Sequence, residues 1–119
     1  MEYKEPELQE QFEKQTEPLL RKLVQFIDNY SVAHFGHGIL ITSVTRSGDP
    51  FSLHCTRPVR AADFRSHTYT DEQIESMLQD VNDEWNYNPL DPAHKCLICH
   101  DVGQGKHFHS QVHPNTVIR

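Results

Sequence analysis

No run of apolar residues approaches the roughly 18 needed to cross a bilayer as a helix, so no membrane span is expected. Basic charge is scarce. Eleven Lys and Arg stand against seventeen Asp and Glu, a net charge of −6. That balance suits phosphate backbones poorly, and nucleic acid is not an expected partner. Cysteine is limited to three residues, an odd count that speaks against a disulfide framework. Five glycines and seven prolines, with 36% hydrophobic residues, exclude a collagen-like, mucin-like or fully disordered chain. The opening MEYKEPELQEQ has no basic start followed by an apolar stretch, so no secretory signal is expected and the cytoplasm is the expected compartment. A chain of 119 residues has room for one domain, which buries a little under about 70% of its unfolded surface.

Histidine is what the chain has in excess. There are nine, and His100, His107, His109 and His113 fall within one short stretch. Imidazole is the commonest metal ligand and the side chain that titrates near neutral pH. A metal site and a set of surface histidines both fit that count, so position has to decide between them.

The pattern along the chain predicts an α+β domain with a small antiparallel sheet and flanking helices. Residues 1–16 are acidic and suggest a short or frayed helix; residues 17–119 read as the single domain. Pro18 fits the first turn of a second helix over about 17–30, with Thr16 as its cap. Leu19, Leu20, Leu23, Phe26, Ile27 and Tyr30 recur at helical spacing. Residues 38–45 are apolar and β-branched and predict a strand; 47–50 predict a turn. Residues 59–64 predict a second, short strand. Thr70 and Gln73 form a capping box that opens a helix to about residue 86. Residues 94–101 and 106–113 read as an antiparallel pair joined by a Gly-rich turn.

Side chains on a strand alternate with period two, so His107 and His109 share one face, and His113 shares their parity. His54 precedes Asp63 by nine residues, and Asp63 sits among Ala61, Ala62 and Phe64. A carboxylate buried there is costly unless it is paired, hydrogen-bonded or metal-bound. Two histidines and one carboxylate with an open fourth position make a catalytic zinc arrangement, which His54, Asp63 and His109 would supply.

Four runs in order carry a resemblance: Ile41-Thr42-Ser43-Val44-Thr45-Arg46, Ser52-x-His54, Arg60-Ala61-Ala62-Asp63, and His107-x-His109. Together they resemble the zinc D-Ala-D-Ala metallopeptidases, which include D,D-carboxypeptidases, peptidase endolysins of phages and the hedgehog signalling domain. The resemblance spans residues 17–113. It implies a hedgehog/D,D-peptidase-like fold, one Zn2+ on His54, Asp63 and His109, and a peptidoglycan stem peptide as substrate. It implies that Arg46 contacts the substrate and stabilises negative charge, and that His107 lies close to the metal. A small phage-like monomer, acting from the host cytoplasm or the virion, is the expected setting. The chain departs from the family in three ways. The His-to-Asp spacing is nine rather than seven. Val59 replaces a glycine. Lys106 and His107 stand where many members carry an acidic general base. His107 is then the first choice of base and Asp101 the next, and a fold of this kind without a base would serve as a structural or binding module.

Other motifs carry weaker readings. Cys96-x-x-Cys99-His100 matches the c-type haem attachment pattern, but haem attachment needs export, and only Met1 and Met77 offer a methionine ligand. The same cysteines with His94 or His100 could begin a structural zinc site. On a strand they would point to opposite faces, Cys96 with Ile98 and His100, Cys99 with Leu97 and Asp101, so buried cysteines acting as small hydrophobes are expected. Arg57, Arg60 and Arg65 either line a cleft for an anionic peptide or solvate the surface.

Overall fold

The computed structural model describes residues 1–44, 52–101 and 105–119. Strand β1 (Glu2–Tyr3) leads into helix α1 (Pro6–Gln15), and helix α2 (Pro18–Phe35) follows after two residues. Strand β2 (Leu40–Ser43), a single 3-10 turn (Leu53–Cys55) and strand β3 (Ala61–Arg65) come next. Helix α3 (Asp71–Glu84), strand β4 (Trp85–Asn86), strands β5 (Leu97–Asp101) and β6 (Lys106–Gln111), and strand β7 (Val117–Ile118) complete the chain. None of the described helices is long and apolar enough to cross a membrane.

The main sheet has the order β1-β2-β3-β6-β5, with β1 parallel to β2 and the other pairs antiparallel. The α+β expectation holds, and β1 makes the sheet mixed. β4 and β7 form a separate two-stranded ribbon. Period-two alternation divides the main sheet into two unlike faces. Ile41, Ala62, Phe64, Leu97, Phe108 and Ser110 are buried on one face, under α2 and α3. Phe64 and Phe108 are direct cross-strand partners whose rings stack at 4.7 Å. The other face carries Asp63, Arg65, His107 and His109. The outer edge of β5 is closed by Asn82 of α3, which receives the Leu97 N–H at 3.0 Å and donates to the Leu97 carbonyl at 2.8 Å. That contact protects an edge that is otherwise open to strand pairing.

Local signals account for the helices. The capping box is formed in full: Thr70 accepts from the Gln73 N–H at 3.1 Å, and Gln73 accepts from the Thr70 N–H at 3.0 Å. Ile74, Met77 and Val81 then bury one stripe of α3. In α2, Leu20, Leu23, Val24, Ile27 and Ser31 do the same. That helix runs a turn past the expected end at residue 30 and stops at Gly36, whose φ of +82° suits glycine.

Several boundaries differ from expectation. Thr16 does not cap α2: Glu17 holds that position, and the Thr16 hydroxyl donates back to the Phe12 carbonyl at the end of α1. α3 ends at Glu84 rather than near 86, because Trp85 and Asn86 pair with Ile118 and Val117. β5 begins at Leu97 rather than 94, and β6 ends at Gln111 rather than 113. Residues 1–16 share the core of the rest of the chain: β1 pairs with β2, and Leu8 and Phe12 are buried in the same hydrophobic cluster as Leu20 and Ile41.

Candidate metal centre

Asp63 lies at the middle of β3, on a central strand, and is only 2% exposed. Its cross-strand partner on β6 is His109. His109 Nδ1 approaches Asp63 Oδ1 at 2.8 Å. His54 arrives from the 3-10 turn, also 2% exposed, with Nε2 3.2 Å from the same oxygen. The three expected ligands therefore converge, each offering one ligand atom, with all three atoms within 4.8 Å of one another.

The nine-residue spacing does not displace His54. Thr56 gathers the extra residues by donating to the carbonyls of Leu53 (2.8 Å) and Pro58 (3.0 Å) and accepting from the Arg60 N–H (3.1 Å). Val59, where the resembled family has a glycine, donates to the Gln15 carbonyl and accepts from the Glu17 N–H, both at 2.8 Å. The loop is thus anchored to the junction between α1 and α2, and its turn delivers the imidazole to Asp63.

Hydrogen-bond accounting fixes which atoms face inward. His54 Nδ1 lies 2.7 Å from the Val44 carbonyl, which only accepts. The proton of a neutral His54 is therefore on Nδ1, and Nε2 presents a lone pair. That buried Nε2 has no hydrogen-bond partner. On the other side, Gln111 Nε2 donates to the Lys95 carbonyl at 2.7 Å, which orients Gln111 Oε1 toward His109 Nε2 at 3.0 Å. The proton of a neutral His109 is therefore on Nε2, and Nδ1 presents a lone pair to Asp63. Two imidazole lone pairs and a carboxylate oxygen meet with no donor among them. The unpartnered, buried His54 Nε2 beside a carboxylate oxygen is where a cation or an added proton is favoured.

The donor set fits a metal ion. At a metal–ligand distance near 2.0–2.1 Å, tetrahedral ligands lie about 3.3 Å apart, close to the observed 3.2 and 2.8 Å edges. Each histidine also donates its remote N–H to a fixed acceptor, Val44 O or Gln111 Oε1, the outer arrangement that orients metal-bound imidazoles. Burial works to raise the pKa of Asp63, but hydrogen bonds and positive charge from His109 and His54, in the state where each imidazole carries the added proton, outweigh it and hold the carboxyl well below the usual carboxylate range. The group is thus kept charged, as a ligand must be.

His107 belongs to the rim of this site. Its Nε2 lies 3.7 Å from Asp63 Oδ2, too far for a hydrogen bond, and its side chain is 20% exposed. Its cross-strand partner His100 packs edge-on against it with ring centres 4.8 Å apart, and lies 5.8 Å from His109. Asp101, the other expected base, is exposed at the end of β5 on the parity of Cys99, opposite to His100. His113 follows the end of β6 and packs its ring 5.5 Å from Tyr87, away from His109. Arg46 lies outside the described residues.

Cys96 corrects a different expectation. Because β5 starts at Leu97 rather than 94, Cys96 precedes the strand and turns into the core instead of sharing a face with Ile98 and His100. It is fully buried, and burial pushes its thiol up to about 12. It packs in the core as a small hydrophobe.

Gln111 and the Val44 carbonyl also belong to this cluster, and neither was expected from the sequence. Gln111 shares the period-two face of His107 and His109, and that was the available signal. A main-chain carbonyl leaves no signature in the sequence. Comparison with family models, curated proteins and solved structures gives no match for this chain.

Proposed function

We propose that this chain is a zinc-dependent peptidase with a hedgehog/D,D-peptidase-like fold that hydrolyses peptidoglycan stem peptides, as a D,D-carboxypeptidase or an endolysin-type endopeptidase. The observation that carries the reading is the convergence of His54 Nε2, Asp63 Oδ1 and His109 Nδ1 with no hydrogen-bond donor among them. Zinc bound there would polarise the substrate carbonyl and lower the pKa of bound water from 15.7 toward about 7. His54, Asp63 and His109 hold it, and Val44 and Gln111 fix the two imidazoles in the required tautomers. His107, partly exposed and 3.7 Å from Asp63 Oδ2, takes and returns the proton at Nε2. Arg46, on the motif resemblance, contacts the substrate and stabilises negative charge.

One observation favours a second reading, a metal-bound structural or binding module of a phage particle. The group beside Asp63 Oδ2 is an imidazole, where the resembled family often has a carboxylate base. Metal content and activity separate the two. Purified protein is assayed for zinc by mass spectrometry beside Asp63→Ala and His109→Ala, then incubated with isolated peptidoglycan. One zinc per chain, absent from both variants, with release of peptide products supports the enzyme. Zinc bound without products supports the module, and zinc retained in both variants overturns the site.

A further inference from the structure

The histidines of the polar face do not all belong to the metal centre. His100 on β5 and His107 on β6 are direct cross-strand partners, and period two puts both on the face of Asp63 and His109. Their rings meet edge-on, with centres 4.8 Å apart and planes at 66°. The two imidazoles of the metal centre, His54 and His109, stand at 5.3 Å and 65°. The same mutual arrangement of imidazoles therefore occurs twice on one sheet face, and the ring centres of His100 and His109 are 5.8 Å apart.

These separations fit a shared ion. An imidazole nitrogen binds zinc at about 2.0–2.1 Å, which puts the ring centre about 3.2 Å from the ion. Two such rings at bond angles from about 90° to 110° have centres about 4.5–5.2 Å apart. That range includes the 4.8 Å of His100 and His107 and ends beside the 5.3 Å of His54 and His109. A third donor is at hand. His107 Nε2 lies 3.7 Å from Asp63 Oδ2, too long for a hydrogen bond and little more than the edge between tetrahedral ligands, about 3.3 Å. Asp63 presents its other oxygen, Oδ1, to His54 and His109. The carboxylate can thus serve two ions, one through each oxygen, as in two-metal sites whose ions are about 3.5–4 Å apart. Arg65, the partner of His107 on β3, is a cation in the same row, and it lines a cavity with Glu2, Met1 and Leu40 on the β1–β2 side. Lys106 is exposed and has the opposite parity. His100 and His107 are half-buried, so water can complete the coordination of an ion between them.

We propose that His100 and His107, with Asp63 Oδ2, form a second site for a divalent transition metal, adjacent to the first and weaker than it. Two imidazoles select Zn2+ or Cu2+ over Mg2+ and Ca2+, which take oxygen ligands. An ion bound there occupies Nε2 of His107. In the peptidase reading that nitrogen moves the proton, so the second ion slows hydrolysis. This regulatory role rests on the peptidase reading; the site itself does not.

The test is zinc titration of the full-length, metal-free protein. Bound ions are counted by native mass spectrometry while histidine side-chain nitrogen resonances are followed by NMR. Wild type should take up two ions, the second with a Kd about tenfold or more above the first, because two dications share one carboxylate. The second step should shift the His100 and His107 resonances. His100→Gln and His100→Ala should each keep the first ion and lose the second. A wild type that saturates at one ion, or a His100 variant that still binds two, overturns the second site and leaves the peptidase reading untouched. With isolated peptidoglycan, excess zinc should slow wild-type hydrolysis by about tenfold or more, as expected when a proton carrier is withdrawn. The same slowing in His100→Gln overturns the regulatory role. Two bound ions, the second lost with His100, in a protein that releases no peptide products support the site and remove the peptidase reading.

Discussion

The two faces of the main sheet are built from the same strands and obey opposite rules. On the helix-covered face, Phe64, Phe108, Leu97 and Ile41 are stabilised by removal from water, and the closer they pack the better. On the other face, Asp63, His54 and His109 are also removed from water, yet they set three acceptors against one another. One face is made of groups that need no ligand, and the other gathers groups that can hold a cation. Alternate residues of one five-residue strand serve both, Ala62 and Phe64 facing in and Asp63 and Arg65 facing out.

The largest effect should come from breaking the apolar face. Phe108→Ala removes a fully buried ring stacked on Phe64 and should cost about 3–5 kcal/mol in denaturant unfolding. His109→Ala, the adjacent residue, should abolish metal uptake with a much smaller loss of stability. If His109→Ala destabilises the metal-free chain as much as Phe108→Ala does, the division between the faces is wrong.

Asp63→Asn tests the polar face next. The amide can donate to His54 Nε2 or His109 Nδ1, which the carboxylate cannot. If the acceptors compete, the metal-free variant should be more stable than metal-free wild type by about 1 kcal/mol. Zinc at a hundredfold excess over its Kd should raise wild-type stability by about 2.7 kcal/mol and leave the variant unchanged. Thermal scans with and without zinc give both numbers. A variant less stable than wild type without metal would mean the acceptors are not in conflict.

Gln111→Leu should have a smaller effect. The His109 Nε2–H loses its acceptor and the ring its orientation, so zinc affinity should fall about 10- to 100-fold while the site still forms. Competition with a chelating dye measures this. An unchanged affinity would show that the Asp63 contact alone orients His109.

Much of this division was written in local pattern. Thr70 and Gln73 specify their helix end by chemistry confined to four residues, and the apolar stripe of α2 needs only helical spacing. His107-x-His109 and Asp63 between alanines declare a polar face through period two. What escaped depends on partners distant in sequence. A two-residue strand such as β1 has no period to read and exists because β2 accepts it. α2 outruns residue 30 because Ser31 is buried and bonded to Tyr69 and the His37 carbonyl, contacts made only in the folded chain. His113 kept the parity of His109 but not its strand, since the chain turns after Gln111 and Thr116 takes up the His113 N–H. The role of Val44 is carried by a carbonyl, which every residue possesses.

Cys96 supplies the smallest and most discriminating prediction, because its motif with Cys99 and His100 also allowed metal or haem readings, while its expected burial as a small hydrophobe is what the structure shows. Its thiol keeps its proton up to about 12 in the folded chain and releases it near 9.0 when unfolded. Between those values the unfolded state binds fewer protons, so this residue's contribution to stability is whole below about pH 9 and falls as pH rises toward 12. Cys96→Ala should therefore be slightly less stable than wild type at pH 7, from the small cavity, and lose less stability than wild type between pH 9 and 11. Alkylation followed by mass spectrometry should label the half-buried Cys55 and Cys99 well before Cys96. Early labelling of Cys96 in folded protein would return it to the chemistry of the polar face, and with it the metal or haem readings of the Cys96–His100 motif.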